Sequence, residues 1–105
     1  MADISRLLKY HFQKLSHNNW DTFEFLMQQL LVRLELWKYM WKTGQWPPKA
    51  DQDEYSAWEE GCEKARAEIV LHVTTEVMHI VRACEDPAVI WENFKTTLGS
   101  RGWTT

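Results

Sequence analysis

Three side chains in the second half of the chain have the types and spacing of a metal site. His72, Glu76 and His79 fall at i, i+4 and i+7. On one unbroken helix they would share a side, and two neutral imidazoles with a carboxylate can hold Zn²⁺. No fourth ligand accompanies them, there is no HExxH, and no Cys and His pair at zinc-finger spacing. Thr74-Thr75, weak helix formers, also stand between the first two. The three read as residues at a helix boundary, and no metal or other cofactor is expected. His11 and His17 belong to a lead-in and a turn, where an imidazole needs no special role.

Nucleophilic chemistry finds no better footing. Cys62 lies between Gly61 and Glu63, and Cys84 precedes Glu85-Asp86. A reactive thiolate needs a base and electropositive surroundings; acidic neighbours raise a thiol's pKa instead. GxSxG, P-loop and GxGxxG motifs are all missing. Asp51, Asp53 and Glu54 lack the ladder, central Gly and distal Glu of a calcium loop, and suit a helix N-terminus better. The chain is therefore not expected to be an enzyme, and no catalytic residue is assigned.

The elements that would position such groups are helices. Three of the four Gly and all three Pro punctuate the chain, at Gly44 with Pro47-Pro48, at Pro87 after the cap-type residue Asp86, and at Gly99 and Gly102. Between them apolar residues recur at threes and fours, and no strand-length alternation appears. From Asp3 to about Leu15, the positions Ile4, Leu7, Leu8, His11, Phe12 and Leu15 fit either a helix or an extended lead-in. A long helix is expected from about Asn19 to Thr43, carrying Trp20, Phe23, Met27, Leu30, Leu34, Trp37 and Trp41 on a wide apolar face. Such a face suits more than one neighbour, or a second subunit. A third segment after Ala50 carries Tyr55, Trp58, Cys62, Ala65, Ile69 and Val73. After Thr74-Thr75, Val77, Ile80, Val81 and Cys84 continue as a shorter helix. The last helix starts at Asp86 with Ile90, Trp91, Phe94 and Leu98 on one face. The expected fold is all-α: one compact bundle of about five helices spanning residues 1–105, with a short extended lead-in as the alternative at its N-terminus.

A chain of 105 residues supports one core, and 45% hydrophobic residues suffice to fill it. The net charge of −3 comes with Lys and Arg scattered along the chain, so no basic stripe exists for phosphates and no direct nucleic-acid binding is expected. No apolar run reaches the ~18 residues of a membrane span. With two isolated cysteines and no signal peptide, the chain reads as an intracellular, cytoplasmic protein with reduced thiols. Seven Trp are many for this length and serve either the core or contact surfaces. Trp46, in the loop Gly44-Gln45-Trp46-Pro47-Pro48, reads equally as a lid on the bundle and as an anchor for another chain.

The order of these features resembles the N-terminal capsid-like region of the Gag polyprotein of copia-type LTR retrotransposons. The pattern begins with Lys14-Leu15, a polar turn ending in Asn19-Trp20, and a second aromatic at Phe23. It continues with Leu36-Trp37 before Gly44 and Pro47-Pro48, then Trp58, Ala65 and Ile69, and closes with Asp86, Trp91 and Phe94. The resemblance covers residues 12–103. It departs from the family at His17-Asn18, where a turn Gly is usual, at Trp20, where Tyr is commoner, and at Phe23, where Trp is usual. The zinc knuckle that binds RNA in such polyproteins has no counterpart here.

The resemblance implies a structural protein, of an active element or a domesticated copy, that associates with itself into a virus-like shell. It further implies a second capsid domain C-terminal to this segment, and a trimmed chain, because Arg101-Gly102-Trp103-Thr104-Thr105 stops where the family runs on. Leu15, Trp20, Phe23, Trp58, Ala65, Ile69, Trp91 and Phe94 are the family-pattern core. Trp37, Trp41 and Trp46 are the candidate anchors of a homotypic contact. The alternative is a small helical adaptor that takes a peptide or a partner helix in a groove.

Overall fold

The computed structural model describes residues 12–40 and 47–99. Over these the fold is all-α. Four helices, α1 (Trp20–Arg33), α2 (Gln52–Leu71), α3 (Met78–Arg82) and α4 (Pro87–Leu98), are joined by 3₁₀ turns at Trp37–Met40 and Thr75–Val77. Ile4, Leu7, Leu8 and His11 of the expected first segment lie outside the described residues, as do Trp41, Thr43, Gly44, Trp46, Gly102 and Trp103. Phe12 to Lys14 are not helical, so this part of the lead-in takes the extended alternative. Leu15 then makes an isolated parallel bridge with Val73.

The cap residues place two helix starts where the sequence predicts them. Asp51 accepts from the Glu54 N–H at 3.3 Å to open α2, and Asp86 accepts from the Ala88 N–H at 2.9 Å to open α4, with Pro87 in the first helical position. At the start of α1 the polar turn works differently. Asn19 makes no cap bond with its side chain. Its Oδ1 accepts from the Ser16 N–H at 2.8 Å and its Nδ2 donates to the Lys14 carbonyl at 2.9 Å, so it closes the turn before the helix.

The long helix expected to reach Thr43 instead stops at Arg33. Glu35 adopts a left-handed φ of 62°, the Leu36 N–H donates to Leu31 O at 2.8 Å, and the Glu35 N–H donates to Val32 O at 3.0 Å. These two bonds are a Schellman stop with Glu where Gly is usual. The stop turns the chain so that Leu36 and Met40 enter the core.

That core is built from Leu15, Phe23, Met27, Leu31, Ile69, Val77, Val81, Ile90 and Phe94, all almost wholly buried. Each large side chain buried this way contributes about 1.5–3 kcal/mol over leaving it in water. α4 packs against α1, α2, α3 and the 37–40 turn, and that turn also packs on α1 and α2. Aromatic rings cluster where α1 meets α4. Trp20 lies edge-on to Trp91 with centroids 5.1 Å apart, and Phe94 lies 5.6 Å from Trp20. Among the described residues no helix is long and apolar enough to cross a membrane.

Candidate functional site

The residues with chemical potential are drawn to different places. α2 ends at Leu71, Val73 is taken up by the bridge to Leu15, and Glu76 sits on the following 3₁₀ turn, so His72, Glu76 and His79 share no helix. The His72 ring stacks on Phe12, with centroids 5.0 Å apart and planes 15° apart, and its Nδ1–H donates to the Glu68 carbonyl at 2.7 Å. Glu76 Oε2 accepts from both the backbone N–H of His17, at 3.0 Å, and the His17 ring. These bonds hold the Glu76 carboxyl below its ordinary pKa range. His79 is exposed on α3. Among the described residues no three His, Cys, Asp or Glu side chains converge as a metal site requires.

Cys62 lines a cleft of about 260 Å³ with Glu59, Glu63, Arg66, Glu85 and Asp86. Burial, then the charges of Asp86 and Glu59, push its thiol up to about 11, the direction its acidic sequence neighbours predict. At neutral pH it is a protonated thiol, which is a poor nucleophile. Arg66 reaches the Val81 carbonyl through Nη2 at 3.4 Å, while its Nε is buried without a hydrogen-bond partner among the described residues. Cys84 donates its S–H to the Asp86 carbonyl at 3.5 Å.

The family-pattern residues Leu15, Trp20, Phe23, Ala65, Ile69, Trp91 and Phe94 are all buried. Trp58 is half-buried and lies edge-on to Tyr39 at 4.8 Å. Of the three candidate anchors, Trp41 and Trp46 lie outside the described residues. Trp37 is half-buried, with its ring nearly perpendicular to Trp91 at 5.6 Å. Much of Trp37 is thus committed to the molecule's own core.

Exposed apolar side chains among the described residues lie elsewhere, at Leu71 on the end of α2, 66% exposed, and on the outer side of α1. Phe25 is 64% exposed and Val32 50%, with Leu26 and Leu34 less so. Seven residues of helix bring the chain back to within about 20° of its starting direction, so Phe25 and Val32 share one line along the helix. Trp20, Phe23, Met27, Leu30 and Leu31 occupy the opposite side and are buried. Gln29 stands between Phe25 and Val32 on the outer line, with Gln28 beside it. Sequence reasoning named neither Phe25 nor Val32 as a contact residue. The signal that separates them is angular: at 100° per residue they point away from the Phe23–Met27–Leu30 stripe.

Comparison of the chain with models of known protein families finds no match, and comparison with curated proteins and with solved structures finds none either.

Proposed function

We propose that this chain is a structural self-association module of the kind its resemblance to copia-type Gag implies, making contacts between identical copies in a shell-like assembly. The observation that carries this reading is the outer face of α1, where Phe25 and Val32 stand exposed on one line directly opposite the core stripe. An exposed Phe alone is unremarkable on a soluble protein. A second apolar residue in register with it, uncharged Gln at the centre and a fully formed core on the other side together describe a face with a contact of its own to make. Three of the groups with chemical potential hold structural places and so fit the same reading: His72 in a stack, His17 with Glu76, and Cys62 as a buried neutral thiol.

The test is sedimentation velocity with light scattering on the full chain over a concentration series. The expected result is reversible association that grows with concentration. A strictly monomeric species up to ~1 mM would refute the reading, since contacts weaker than that carry under about 4 kcal/mol. One-to-one capture of an unrelated helix by a chain that stays monomeric would point to the adaptor function instead.

A further inference from the structure

One residue separates α1 from the helix its sequence would continue. The Leu34 N–H still donates to Leu30 O at 3.0 Å, in the α-helical pattern, and the break comes at Glu35 with its left-handed φ of 62°. Nothing in Leu34-Glu35-Leu36-Trp37-Lys38-Tyr39-Met40 calls for a stop. The run has no Gly, Pro or Asn, and Leu, Glu, Lys and Met are good helix formers. Helical dihedrals at Glu35 and Leu36 would carry α1 straight on into the 37–40 turn. They would also part residues 12–33 from residues 36–99, which the closed chain joins through the Leu15–Val73 bridge and through Trp20 against Trp91 and Phe94.

Resting on the reading that copies of the chain associate, we propose that Glu35 is the hinge of a domain-swapped dimer: α1 runs on through Leu36, and residues 12–33 of each copy pack against residues 36–99 of the other. The occupant is a second copy because only an identical chain refills the vacated place with the same contacts. Leu15 then bridges the partner's Val73, His17 bonds the partner's Glu76, and Trp20 meets the partner's Trp91. The bonds lost are those of the stop itself, Glu35 N–H to Val32 O and Leu36 N–H to Leu31 O, and helical i→i−4 bonds replace them. Relief of one left-handed residue is worth roughly 5- to 30-fold in the equilibrium for each protomer, and the two protomers multiply. Short hinges under strain favour such exchange. Lost translational and rotational freedom opposes it, so the swapped form gains with concentration.

Sedimentation equilibrium of the full chain, refolded from urea at each concentration because exchange requires the core to open, tests the hinge. Glu35→Gly removes the strain of the closed form and weakens the continuous helix, so it is expected to raise the dimer Kd at least ~30-fold. Glu35→Ala keeps the Cβ and favours the helix, and should raise it by no more than about threefold. A second measurement needs no variant. Labelled and unlabelled parent chains, refolded together, should give isotope-filtered nuclear Overhauser contacts between Trp20 of one copy and Trp91 of the other, rings whose centroids lie 5.1 Å apart in the closed chain. Circular dichroism establishes that each variant is folded; if Glu35→Gly is not, the Overhauser contact decides. A parent chain that is monomeric at ~1 mM overturns both the swap and the function it rests on. A parent that dimerises without the Trp20–Trp91 contact between copies, or whose Kd responds equally or not at all to the two substitutions, overturns the hinge and leaves self-association standing.

Discussion

Gly61 shows how a single residue's identity is set from a distance. It sits in the interior of α2, where Gly costs ~1 kcal/mol relative to Ala. A methyl group there would overlap the Tyr39 phenol, which lies against this part of α2 and is held edge-on by Trp58 at 4.8 Å. The absent side chain makes the slot into which the 37–40 turn inserts its ring. Gly61→Ala is expected to lose about 1–2 kcal/mol in urea unfolding, the overpacking cost exceeding the gain in helix propensity. In a Tyr39→Ala background the same change should stabilise by up to ~1 kcal/mol, because only the propensity remains. A stabilising Gly61→Ala in the parent would show that the ring does not depend on the slot. None of this is legible in the sequence, where Gly61 reads only as a neighbour of Cys62. Its helical pattern is plain, but the residue that requires the gap lies on another element.

At the scale of elements, the termini of α2 and α4 are legible and the end of α1 is not. Asp51 and Asp86-Pro87 have local chemistry that announces a helix start: a carboxylate for the free N–H groups, and a proline with no N–H to satisfy. The stop after Arg33 carries no such mark. Leu34-Glu35-Leu36 continues the apolar period without a break, and the chain turns only because burying Leu36 outweighs the strain of a left-handed Glu. That strain amounts to ~1–2 kcal/mol, and Gly would be spared most of it at some entropic cost in the unfolded chain. Glu35→Gly should therefore stabilise by about 0.5–1 kcal/mol. Glu35→Ala, which removes the charge but keeps the Cβ, should gain nothing. Chemical denaturation of the two variants separates backbone strain from charge as the cause. An equal gain in both would assign the effect to the carboxylate.

The molecule as a whole is closed by a strap whose partners lie 57 to 59 residues apart in the chain. Leu15 donates its N–H to His72 O at 2.8 Å and accepts from the Thr74 N–H at 2.9 Å, while His17 and Glu76 fasten the next two residues. No local pattern pairs His17 with Glu76, and the sequence instead suggests aligning Glu76 with His72 and His79. The strap also sets a pH dependence. The bonds from His17 hold Glu76 below its usual pKa of 4.5, so their contribution is complete above the ordinary carboxylate range and is lost as pH falls through the depressed value. Amide exchange at Leu15 and Thr74, corrected for intrinsic rates, should lose protection from about pH 4.5 downward in the parent. Glu76→Gln should start less protected at neutral pH and show no such step. A step of the same size in Glu76→Gln would assign it to another group.

The meeting of α1 and α4 has a practical consequence. Trp20 and Trp37 both approach Trp91, at 5.1 and 5.6 Å between centroids and with planes 63° and 82° apart. Three indole chromophores held so close, at fixed oblique angles, couple their electronic transitions. The native chain thus carries an optical reporter that needs no label: near-ultraviolet dichroism responds to fixed side-chain packing and fades when that packing loosens, even while helices persist.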